Sequence, residues 1–172
     1  MRLTIAIDES RFDEAIRLYE KGIPIHSFLY TAIPDASVEE WASTHQEPVY
    51  VDVTMLSSKS DSFTPIVDAW GEIGNDETCV VFNLREVLRV LLYGCNVLFL
   101  RKNMYMDTTA YLSLVSDALN CVSTEECVKS FIVEVENELE LFTLKAAGLN
   151  HFLISDRIIK DPIRFKFLDL FI

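Results

Sequence analysis

Glycine is scarce in this chain. There are five in 172 residues, at positions 22, 71, 74, 94 and 148, and only Gly71 and Gly74 come as close as three residues. A Walker loop, a dinucleotide fingerprint or a serine elbow needs glycines grouped in a turn, so that backbone can approach a phosphate or present a nucleophile; none is present. Basic residues are also few: 15 Lys and Arg stand against 27 Asp and Glu, a formal charge of −12. The excess is spread over the chain, −9 in residues 1–120 and −3 in 121–172, with no block of like charge. Binding to nucleic-acid phosphates needs a basic surface, so no nucleic-acid partner is expected. Histidine occurs three times, at 26, 45 and 151, and cysteine four times, at 79, 95, 121 and 127. Neither forms a His-x₃-His or Cys-x₂-Cys pair, so no metal site and no cofactor is expected. Cys79 and Cys95 fall in apolar segments, where a free thiol acts as a small hydrophobe. The longest apolar run, 90–100, is too short to cross a bilayer and contains Asn96. Asp8 and Glu9 interrupt any signal-peptide core, and Asn-x-Ser/Thr is absent. These absences point to a reduced, cytoplasmic protein without a membrane partner.

What is present is a globular composition, half hydrophobic and one quarter charged. The length suits a single domain over 1–172. The clearest unit spans 78–102: TCVVFN, LREVLRVLLYGC and NVLFLRK read as strand, amphipathic helix and strand. Asn83 with Glu86 three residues on makes a capping box, and Gly94 suits the helix end. Upstream, 3–7 and 25–32 read as strands. Phe12, Ala15, Ile16 and Tyr19 mark a helix face, and Ser37 with Glu40 caps a second helix. The segment 49–55 alternates as a third strand. Thr64 and Pro65 resemble the cap and first residue of a helix reaching Ile73. A further helix starts at Asp107 or Thr108. Five strands alternating with five helices over 1–120 predict an α/β fold of three layers: a mostly parallel open sheet, Rossmann- or flavodoxin-like, with helices on both faces.

Residues 121–172 read as a helical and hairpin extension packed on that core. Val128, Ile132, Val135, Leu139, Phe142, Ala146 and Leu149 recur at +4 and +3, which predicts one long helix ended at Gly148. The competing reading is a strand, since VEVENELEL also alternates. As a helix, Val133 and Leu144 would lie opposite the main apolar seam, flanked by Glu134, Glu136, Glu138 and Glu140. That face is the candidate interaction surface, and it offers a route to self-association. Residues 152–159 and 163–167 suggest a hairpin, with the apolar 170–172 docked.

In an open parallel sheet, ligands sit at the carboxyl ends of the strands. Asp8, Glu9, Asp52, Asn83 and Lys102 are expected there as a candidate pocket. Ile7-Asp8-Glu9, Tyr50-Val51-Asp52-Val53-Thr54-Met55 and Arg101-Lys102 together resemble the arrangement in response-regulator receiver domains. That resemblance covers at most residues 1–120 and departs from the family at Asn83 and Asn103. It implies an acidic pair, a phosphoacceptor aspartate (Asp52) and a lysine (Lys102) around Mg²⁺. No residue is assigned a catalytic role on sequence. With no catalytic motif and a strong negative charge, the reading preferred is a small acidic interaction protein: an inhibitor, immunity-type factor or adaptor binding a basic partner protein without catalysis. The alternatives are the receiver-like domain and an enzyme or nucleotide binder of Rossmann-like fold.

Overall fold

A computed structural model describes residues 1–9, 12–52, 54, 56, 60–74 and 77–160. Among these residues eight strands run in chain order: β1 (Arg2–Ile7), β2 (Ile25–Tyr30), β3 (Val49–Asp52), β4 (Thr64–Asp68), β5 (Thr78–Val81), β6 (Val97–Leu100), β7 (Ser130–Glu134) and β8 (His151–Ser155). Each pairs in parallel with the next, and β8 pairs in parallel with β1, so the sheet closes on itself. Helices decorate the outside: α1 (Phe12–Glu20), α2 (Ala36–Thr44), α3 (Leu84–Leu92), α4 (Thr108–Val122), α5 (Glu138–Ala146) and α6 (Asp156–Lys160). Among the described residues no helix follows β3 or β4, so this is the TIM-barrel architecture with two short returns.

The open three-layer sheet expected from sequence is therefore corrected to a closed barrel. Two misread segments account for the difference. Thr64 and Pro65 do not start a helix; they open β4. Pro65 is tolerated because it pairs only with Val51 of β3, and the ladder to β5 begins two residues later, at Val67. The long helix over 128–149 is in fact β7 followed by α5. Asn137 caps α5, its side chain accepting from the Glu140 N–H, and Gly148 (φ 98°) follows the helix end. Residues 121–172 are thus not an extension on a finished core, because β7 and β8 are needed to close it. The hairpin's second arm, 163–167, and residues 170–172 lie outside the described residues.

Strand alternation sorts the buried strand side chains between two cores. Outward residues such as Leu3, Ile5, Ile7, Val51, Val81, Leu98, Leu100, Val133 and Phe152 pack against the helices. The inward core is smaller: Ala6, Leu29, Ile66, Phe99, Ile132 and Leu153, with Tyr50, Val80 and Val97 against them. Tyr50 and Phe99 meet edge to face, ring centroids 5.0 Å apart. At the amino end of the barrel, Thr4 hydrogen-bonds Ser27 (2.6 Å) and His151 (2.8 Å), filling the floor with satisfied polar groups. No helix among the described residues is long and apolar enough to cross a membrane.

Candidate functional site at the carboxyl end of the barrel

The two-residue period that builds the inward core also fixes what stands at its mouth. Two residues beyond Ala6, Leu29, Tyr50, Ile66, Val80, Phe99, Ile132 and Leu153 come Asp8, Thr31, Asp52, Asp68, Phe82, Arg101, Glu134 and Ser155. One inward position per strand thus supplies a ring at the carboxyl end, the face on which barrels of this architecture hold their active sites.

Arg101 is at the centre of that ring and is only 7% exposed. Its Nη1 and Nη2 donate to the two oxygens of Asp8, each at 2.7 Å, and Nη2 also donates to Glu134 Oε2 at 2.7 Å. Asp8 accepts further from Ser155 Oγ (2.6 Å) and Thr31 Oγ1 (3.1 Å). Burial pushes the Asp8 carboxyl up, but Arg101, Ser155 and Thr31 outweigh it and hold the pKa at about 2. Glu134 is completely buried. There burial prevails over Arg101 and the Lys102 N–H, and its pKa is raised. Of the two carboxylates on this guanidinium, Glu134 is the one that takes a proton first. Arg101 itself is held firmly charged: burial works against the charge, and the two acids overcome it. Its Nε is buried and has no hydrogen-bond partner among the described residues.

Two hollows open from this ring, and Arg101 and Phe82 line both. One, of about 430 Å³, lies over β6 and β8 and includes Asp8, Glu9, Met104, Tyr105 and Arg157. The other, of about 370 Å³, descends between β2 and β5 to a floor of Leu29, Ile66 and Val80; Asp52, Asp68 and Glu86 stand on its walls. Asp52 uses Oδ1 on the Thr54 backbone and hydroxyl, and Asp68 uses Oδ1 on the Trp70 N–H. Among the described residues the second oxygen of each has no partner.

The pocket expected from Asp8, Glu9, Asp52, Asn83 and Lys102 is brought to this end only in part. Asp8 and Asp52 face inward. Glu9 is exposed at the edge of the hollow over β6 and β8, one residue out of the inward phase, and its N–H donates to Asp156 (3.1 Å). Asn83 caps α3, accepting from the Glu86 N–H, while Glu86 accepts from the N–H of Phe82. Lys102 has the parity of Leu100 and points outward, donating to Glu140 (2.7 Å) and Glu136 (3.1 Å) over the ring of Tyr111. Burial disfavours its charge, but the two glutamates raise its pKa. It is a structural link between β6 and α5. The interaction surface fares differently: Val133, Glu134, Glu140 and Leu144 are buried, so no such face exists, and of its members only Glu138 is exposed, with Glu136 half-buried. Arg101, Asp68, Glu134 and Ser155 were missed as mouth residues. The signal was the alternation of VLFLR and FIVE, where each charge continues an inward phase. Among the described residues no three His, Cys, Asp or Glu side chains are grouped to hold a metal ion.

No family model matches the sequence, and no curated protein matches it. The fold does match solved structures, among them the 1.65 Å crystal structure of 3-hexulose-6-phosphate synthase from Salmonella typhimurium. That match has a TM-score of 0.63 and 11% identity, and it covers 99% of each chain. At that identity the likeness is one of fold. It overturns the reading of a non-catalytic inhibitor, immunity-type factor or adaptor, which rested on the negative charge, the lack of catalytic motifs and a two-sided helix that the barrel replaces with β7 and α5. In its place stands a closed barrel like that of a synthase, with charged groups in its mouth. The receiver-like alternative falls with the open sheet, since its lysine points away from its aspartates.

Proposed function

We propose that the chain is an enzyme whose active site is the carboxyl-end mouth, and that it moves a proton next to the carbonyl group of a small hydroxylated substrate. Arg101 carries the reading. A guanidinium is held almost out of water by Asp8 and Glu134 at the end of the barrel where ligands bind. Burying such a network gains little stability compared with an apolar replacement, so its retention needs another reason.

In the proposed step the substrate lies in the hollow between β2 and β5. Asp68 or Asp52, each with a free oxygen, takes the proton from the carbon beside the carbonyl. The C–H electron pair becomes the new C=C bond, and the carbonyl oxygen gains negative charge, which Arg101 stabilises. The choice of a hydroxylated carbonyl compound draws on the similar barrel, which is named for making 3-hexulose 6-phosphate. Leu29, Ile66 and Val80 beneath exclude water and strengthen the charge interactions above them.

The test is incubation with a panel of aldoses, ketoses and their phosphates in D₂O. Proton NMR then follows loss of the signal at the carbon next to the carbonyl. The expected result is enzyme-dependent deuterium incorporation into at least one of them, lost in an Asp52→Asn/Asp68→Asn variant that remains folded. Incorporation unchanged in that variant would contradict the assignment.

A further inference from the structure

In a chain of net charge −12, the outer face of α3 carries two arginines, Arg85 and Arg89, and among the described residues neither makes an ion pair. Arg85, Leu88, Arg89 and Leu92 recur at i, i+3, i+4 and i+7, so they share one stripe of the helix. Val87, Val90 and Leu91 are its buried side. Leu88 and Leu92 are left in solvent, 52% and 79% exposed, so α3 is apolar on two sides. A helix that packs through one face has no need of the second. α4 covers one flank of α3. On the other flank no helix follows β4 among the described residues, and the turn carrying Trp70 lies there.

The same face is rigid. Arg89 donates from Nε to the Ala69 carbonyl (2.7 Å) and from Nη2 to those of Trp70 (3.4 Å) and Gly71 (3.3 Å). Its Cζ lies 5.4 Å from the ring centre of Trp70 and 5.1 Å from that of Tyr93, and Arg85 Cζ lies 5.3 Å from the ring centre of Trp70. Trp70 is pinned by its Nε1 donating to Glu86 (2.7 Å), yet it stays half-exposed. Glu86, the one acid on α3, has its other oxygen on the Phe82 N–H and pairs with neither arginine. Carbonyl and aromatic contacts hold the guanidinium groups in place without neutralising them. Tryptophan, tyrosine and arginine dominate binding at protein interfaces, and side chains already fixed lose little freedom on docking.

From this combination we infer that the outer face of α3 docks an acidic amphipathic helix of a partner protein, its carboxylates on Arg85 and Arg89 and its apolar side chains on Leu88, Leu92 and Trp70. The sign is the opposite of the one expected from net charge, and the surface is separate from the mouth. A second copy of the chain is a poorer occupant, because it brings another net charge of −12.

Two synthetic peptides of about 18 residues, long enough to form a helix, test this. One carries leucines on one face and glutamates on the other; its counterpart has lysines in place of the glutamates. Assigned backbone NMR of the full chain at about 0.15 M salt, where long-range fields are screened, reads where each binds. The acidic peptide is expected to shift residues 85–93 and the Trp70 indole N–H, against the net repulsion of the chain. It should bind there at least about tenfold more tightly than the lysine peptide. Arg85→Glu, at an exposed position, should weaken it about tenfold without moving the urea midpoint, and Leu88→Ser/Leu92→Ser should weaken it as well. Absence of shifts on α3, equal binding of the two peptides there, or wild-type affinity in Arg85→Glu overturns the inference. Shifts of the same residues on raising protein concentration without peptide would put a second copy on the face, and they overturn the acidic partner too. None of these outcomes touches the mouth, which deuterium exchange tests separately.

Discussion

Arg101 is the residue on which most depends. Removing it leaves Asp8 and Glu134 facing each other without a cation, one of them fully buried. Arg101→Met is expected to lose about 3 kcal/mol of unfolding free energy in urea titrations at neutral pH. Replacing the whole trio, as Asp8→Asn/Arg101→Met/Glu134→Gln, should return most of that loss. Recovery of stability without recovery of deuterium exchange would mark the trio as functional; a triple variant as weak as the single one would mark it as structural. His151 makes a second prediction at this scale. Burial first, then the charges of His26 and Arg2, hold its pKa at about 4 against an ordinary 6.5. As pH falls the unfolded chain takes the proton first, so stability is complete above 6.5 and declines between 6.5 and about 4, by up to about 3 kcal/mol. Urea midpoints measured across that window should fall in the wild type and stay level in His151→Gln. Asp8 adds a separate loss at lower pH, between 3.8 and about 2, as its depressed carboxyl takes its proton. Neither role could be reached from single residues in the sequence. Lys102 looked like the residue without a duty because it ends a strand, while Arg101, one position earlier, has the inward phase. A one-residue difference in parity decides which enters the mouth.

At the scale of elements, the α3 unit was readable because its signals are local. Asn83 accepts from the Glu86 N–H at 2.9 Å, and Gly94 takes a positive φ of 84° just past the helix. Asn83→Ala should cost about 1 kcal/mol, readable as a shift in the urea midpoint. The unit from β6 to α5 was not readable. The apolar positions of β7 and α5 fall by coincidence into one helical register across the break at Asn137, and no glycine or proline marks that break. What fixes it is tertiary: Glu134 must reach Arg101 from a strand, and Glu140 must reach Lys102 from a helix. Lys102→Met strands the buried Glu140, and a loss of about 3 kcal/mol is expected by the same urea titration. A loss under about 1 kcal/mol, no more than an exposed pair contributes, would mean that the ion pair does not hold α5 to β6.

For the whole molecule the consequence of closure is the absence of an edge. β1 and β8 pair through five residues, from Arg2 with His151 to Ala6 with Ser155, so the first and last strands are as enclosed as the middle ones. Composition and charge offered no hint of this. Period-2 apolar strands are compatible with an open sheet or a closed one, and the choice lies in the pairing of residues about 150 apart. The parallel α/β character was legible, since strands separated by helices require it; the closure and the short returns after β3 and β4 were not. Closure gathers one inward residue per strand into the mouth at the carboxyl end, the proposed active site. Assigned backbone NMR during titration with hydroxylated carbonyl compounds probes it without relying on any single variant. Shifts should concentrate at Thr31, Asp52, Asp68, Phe82 and Arg101, and be absent from Thr4, Ser27 and His151 at the other end. Shifts confined to the outer helices, or none with any compound, would refute a working mouth.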